Sequence, residues 1–87
     1  MVLFYRRVND LSFTEYFENE VLHKRPYVSK ALCIAVLQRP VKVEHQEDNR
    51  YRFWGTVKEH EGKYLRVITL EDQITIHNAF FDRRFKL

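Results

Sequence analysis

Residues 63–81 read KYLRVITLEDQITIHNAFF. Two runs rich in β-branched and aromatic residues, Tyr64–Leu70 and Ile74–Phe81, flank Glu71-Asp72-Gln73. Such runs suit a pleated, half-buried surface, and a link this short forces the two strands to be antiparallel. The same alternation recurs upstream in VKVEHQ (41–46) and RYRFWGTV (50–57), separated by turns at EDN and HEG. The spacing predicts strands near 41–46, 50–58, 63–70 and 74–81, with Trp54 on the face opposite Phe53. Two registers compete for the last hairpin. A two-residue turn at Glu71-Asp72 places Arg66 opposite His77 and gives Leu65, Val67, Ile74, Ile76 and Phe80 one shared core face. A three-residue loop places Arg66 opposite Asn78. The first is preferred because it separates one apolar face from one polar face.

Upstream of the strands the period changes to that of helices. In SFTEYFENEVLHK, Phe13, Tyr16, Phe17 and Val21 form an apolar stripe, and Ser12 with Glu15 matches a capping box. Pro26 ends this helix, because the residue before proline avoids helical geometry. A second helix follows in VSKALCIAVLQR, with Val28, Ala31, Leu32, Ala35 and Val36 on one face and Ile34 and Leu37 on another edge, so burial on more than one side is expected. The resulting architecture is α+β: a helical pair (12–38) packed on one face of a roughly four-stranded antiparallel sheet (41–81), then a basic tail (82–87). Residues 1–10 are either a further strand or a loose arm.

Eighty-seven residues make one domain with a modest core. The single cysteine, Cys33, rules out an intramolecular disulfide and fits a reducing compartment, the cytoplasm. No apolar run is long enough to span a bilayer. With a net charge of +3 and a pI near 9.2, the chain is mildly basic, which suits a polyanionic partner without requiring one. Basic residues interleave with aromatics, which are 15% of the chain. RNA-binding surfaces combine those two types, charge for phosphate and rings for bases.

The residues with chemical capacity are few. His23, His45, His60 and His77 form no HxH or HxxxH pair, so their spacing offers no zinc site, and two glycines cannot build a phosphate-cradling loop. Cleavage of RNA needs no metal or cofactor: a base for the 2′-OH, an acid for the leaving oxygen and cations for the phosphorane charge suffice. His23 and His77 are the candidate acid and base, and Arg66 the clamp, because an arginine inside an apolar strand needs a partner or an open face. Arg25, Tyr27, Trp54, Asn78, Arg83 and Arg84 are candidate contacts to RNA or phosphate. Arg83-Arg84 either extend a basic cleft or pair with the acidic first helix.

The order helix, helix, four antiparallel strands, with HKRPY between the first elements and RVIT…TIHNAF at the end, resembles small stand-alone or phage-type domains of the RelE-like superfamily. More broadly it resembles the barnase–EndoU–colicin–RelE-like nucleases. The likeness covers about residues 12–81 and rests on short motifs. It implies a metal-independent ribonuclease, commonly a toxin with a protein antitoxin, acting on free or ribosome-associated RNA. In that pattern His23 takes the site position near the end of the first helix, Arg66 the basic position on the penultimate strand and Asn78 the polar position on the last. Asparagine departs from acid–base chemistry but can still bind a phosphate oxygen. Two alternatives stand beside it: a catalytically inactive RNA-binding module, as in members of the group without activity, and an interaction domain that forms a homodimer through its open sheet face.

Overall fold

The structure, a computed structural model, describes residues 7–87. It is α+β: two helices lie on one face of a five-stranded mixed sheet in the order β1-β5-β4-β3-β2. The strands are β1 (Ser12–Phe13), β2 (Lys42–Gln46), β3 (Arg50–Val57), β4 (Lys63–Thr69) and β5 (Thr75–Phe81); α1 spans 15–24 and α2 Lys30–Gln38. Most of the expectation for a strand or arm at 1–10 falls outside the described residues. Within them, Val8–Asp10 form a single 3-10 turn.

The fifth strand is Ser12–Phe13, where the sequence pattern predicts the start of the helical pair. It pairs parallel with β5, Ser12 against Thr75 and Phe13 against Ile76. The Ser12 N–H donates to the Ile74 carbonyl and the Thr14 N–H to the Ile76 carbonyl, each at 3.0 Å. Ser12 is therefore not the helix cap. Thr14 is: its hydroxyl accepts from the Phe17 N–H at 3.1 Å, and no reciprocal glutamate is involved. The first turns of α1 are wide, a π segment over Phe17–Val21, and both end residues are fully buried in the core. As expected, α1 stops before Pro26.

Ser29 caps α2 by accepting from the Leu32 N–H at 3.2 Å. This helix buries only Cys33, Val36 and Leu37, while Ala31 and Ala35 are exposed, so it is one-sided and not buried all round. Its seat on the sheet is Gly55. A Cβ there would lie 3.0 Å from Val36 Cγ2 and 3.3 Å from Val36 Cα. The core joins these helical residues to Phe53, Val57, Leu65, Val67, Ile76 and Ala79.

The last hairpin takes neither expected register. Arg66 faces Phe80, Val67 faces Ala79 and Ile68 faces Asn78; then Thr69 faces Ile76, so His77 is the extra residue of a β-bulge. Ile76, Ala79 and Phe81 share the helix side, and Phe80 is on the far side, not in the core. The connection is longer than either expected turn. Leu70 N–H bonds to the Thr75 carbonyl, Gln73 adopts φ 62°, and the Asp72 carboxylate accepts from the Ile74 and Thr75 N–H groups. Burial would raise the Asp72 carboxyl, but its bonds from the Thr75 hydroxyl and these amides outweigh that and hold it below the usual range.

Candidate nucleic-acid interface at the C-terminal tail

On the far side of the sheet, β3 and β4 bring Trp54 and Arg66 opposite each other. Both are tied to Asp82, just beyond β5. Asp82 Oδ2 accepts from Trp54 Nε1 (2.9 Å), Arg66 Nε (3.1 Å) and Arg66 Nη2 (2.8 Å). Its second oxygen accepts from the Arg84 N–H at 3.1 Å. Burial favours the neutral acid, yet the Trp54 and Arg66 bonds prevail and keep the carboxyl below its ordinary value. Phe85 stacks on Trp54 with centroids 4.7 Å apart, and Trp54 is 3% exposed. Asp82 and Phe85 thus pin the tail to the sheet.

The pinned tail has a depression on each side. The larger cavity, about 620 Å³, is lined by His60, Lys63 and Arg83 with the rings of Tyr27, Tyr64, Phe81 and Phe85, and by Asp82. The smaller, about 250 Å³, is lined by Lys42, Arg66, Arg84 and Lys86 with Trp54, Phe85, Glu44 and Asp82. Both carboxylates are already engaged, Glu44 with Lys42 and Arg52, Asp82 with Arg66. Lys63, Arg83, Arg84 and Lys86 have no carboxylate partner among the described residues. The acidic first helix does not take the arginine doublet: Glu20 pairs with Lys24 and Glu18 with Lys30.

The candidate residues from the sequence divide into separate groups. Arg25, Asn78 and Arg66 come together around Phe80. Arg25 Nη1 approaches Asn78 Oδ1 at 3.4 Å, and the Arg25 and Arg66 guanidiniums lie 5.9 and 4.9 Å from the Phe80 centroid. Tyr27 and Arg83 line the larger cavity, while Trp54, Arg66 and Arg84 line the smaller. His77 stands apart. Its Nδ1 bonds the Thr14 hydroxyl at 3.0 Å and its ring stacks on Tyr16 at 4.9 Å. Burial, and next the charge of Arg50, push its pKa below 6.5, with Asp48 opposing. His23 is exposed at the end of α1. It follows buried Val21 by two residues, about 200° round the helix, so it points away from the core. Among the described residues no hydrogen bond, ion pair or ring contact joins His23, Arg66 and His77 to one another: Arg66 is held by Asp82 and His77 by Thr14 and Tyr16.

Sequence reasoning missed His60, Lys63, Tyr64, Phe81, Asp82 and Phe85. The signal available for Asp82 was its place directly before the arginine doublet, in a tail otherwise rich in cations and rings. The cavity itself depends on how the 3-10 turn Lys58–His60 and the end of β5 meet, which no local pattern specifies. Among the described residues no group of three or more His, Cys, Asp or Glu side chains is arranged to hold a metal, and no helix is long and apolar enough to cross a membrane. Comparison with protein-family models, curated proteins and solved structures found no match.

Proposed function

We propose that this domain binds single-stranded RNA along its C-terminal tail. The observation that carries this reading is the charge without a carboxylate partner among the described residues on both flanks of the tail: Lys63 and Arg83 on one side, Arg84 and Lys86 on the other, beside Tyr27, Tyr64, Phe81 and Phe85. Cations without carboxylate partners can exchange counterions for phosphates, and arginine's planar fork suits phosphate oxygens. The interleaved rings offer stacking surfaces that do not depend on base identity. Arg25 and Asn78, beside Phe80, extend the polar surface.

Binding is better supported than cleavage. The acid–base half of a ribonuclease mechanism needs two proton-transfer groups at one phosphate. His77 is bonded to Thr14 while His23 is exposed at the end of α1, no contact joins the two among the described residues, and Arg66 is committed to Asp82. The test is fluorescence anisotropy of a labelled single-stranded oligoribonucleotide across a salt series. With about four phosphates neutralised, log K should fall against log salt with a slope of about −3, and replacing Arg83 and Arg84 by alanine should reduce that slope by about 1.4. The oligonucleotide should be recovered intact. A salt-independent affinity, or none at low salt, removes this reading; cleavage abolished by His23→Ala would restore the nuclease.

A further inference from the structure

We infer that the cavity of about 620 Å³ beside the tail is a nucleotide pocket, taking an aromatic base against the exposed face of Tyr27 and a phosphate on Lys63 and Arg83. This rests on the RNA-binding reading and adds a defined subsite to it.

Size is the first support, since small-molecule sites run from about 300 to 1,000 Å³. The wall chemistry is the second. Phe81 stands between Tyr27 and His60, with centroids 5.7 and 4.8 Å away and both rings tilted against it. Tyr64 meets Phe85 edge-on at 4.8 Å. Tyr27 is 48% exposed, so ring surface is still available to a planar partner. A site for bare phosphate has no use for this many rings, and a site for an apolar ligand has no use for two unpaired cations. A base joined to a phosphate uses both.

The one carboxylate in the lining does not oppose an anion strongly. Asp82 directs one oxygen to Trp54 and Arg66 and the other to the Arg84 N–H. Its charge is thus balanced by Arg66 on the sheet side of the tail. The pocket also adjoins the smaller depression, because Asp82 and Phe85 line both. A nucleotide held here could be free or part of a longer strand crossing the tail, and the chemistry recognised is the same.

The experiment uses the full chain. Calorimetric titration with AMP and with inorganic phosphate is set beside anisotropy of a fluorescein-labelled oligoadenylate. The variants are Tyr27→Ala, the pair Lys63→Gln with Arg83→Gln, and a charge-matched control pair, Lys24→Gln with Lys30→Gln, with melting temperatures recorded for all. AMP should bind more tightly than phosphate. Tyr27→Ala should weaken AMP about tenfold, the scale of one lost stacking contact. The cation pair should weaken it at least as much, and the control should leave it unchanged. If the oligoadenylate binds and shows salt dependence while AMP does not bind, and the cavity variants leave that affinity intact, the pocket is refuted and the RNA reading stands. If AMP binds and the oligoadenylate does not, the pocket stands and the polymer reading falls. Phosphate binding as tightly as AMP overturns the role of the rings. Failure of every ligand overturns both ideas.

Discussion

Replacing Asp82 by alanine is the most informative single change to the fold. The substitution removes the acceptor of three side-chain hydrogen bonds, from Trp54 Nε1 and two nitrogens of Arg66. The Asp82 side chain is 8% exposed and that of Arg66 24%. Removing one partner of a buried pair costs about 3–5 kcal/mol, mostly because the other charge is left without compensation. Arg66 can recover some hydration, so the lower end applies, about 3 kcal/mol. For a domain of this size that corresponds to a fall in melting temperature of roughly 12–24 °C. Asp82→Asn keeps an oxygen for Trp54 but loses the charge, and should cost about half as much. Urea unfolding followed by fluorescence is suitable because Trp54 is the only tryptophan and stacks directly on Phe85 in the tail. A change under about 0.5 kcal/mol for Asp82→Ala would refute the claim that this carboxylate holds the tail to the sheet.

Three further outcomes follow from named contacts. Gly55→Ala should destabilise by about 1–3 kcal/mol, measured by urea unfolding, because a new methyl meets Val36 and the α2 backbone at 3.0–3.3 Å. Stability should decline as pH drops from about 6.5, since His77 in the folded chain resists the proton that the unfolded chain accepts; it should decline again below about 3.8 as Asp82 and Asp72 are protonated. His77→Gln should flatten the first of these declines in equilibrium unfolding. Cys33, fully buried and with its thiol pushed up to about 12, should react with a thiol reagent only at the rate of unfolding, seen as matching denaturant dependence of the two rates.

The sheet was legible because its signals are local. Alternation fixes strands, and the turns at 47–49 and 61–62 mark where they end. The second helix was equally plain from its apolar spacing and from Pro40 beyond its end, and the structure adds Ser29 as its cap. Errors arose where a long-range partner decides. Ser12-Phe13 looks like the start of a helix until β5 offers it backbone bonds, and Thr14 then takes the capping role. The bulge at His77 shifted the last hairpin and sent Phe80 to the far side, a change that two plausible turn lengths could not anticipate. The functional reading of the tail had the same limit. Arg83 and Arg84 announce charge, but their division between two depressions depends on Asp82 and Phe85 fastening the tail, and those contacts join residues distant in sequence.

Two-dimensional amide NMR can map, residue by residue, whether RNA lies along the C-terminal tail. On titration with an unlabelled single-stranded oligoribonucleotide, the account requires the largest shift changes at 60–66 and 81–87, with smaller ones at Lys42 and Tyr27. Changes concentrated on the exposed surfaces of α1 and α2, or no changes at concentrations that saturate the anisotropy signal, would contradict it.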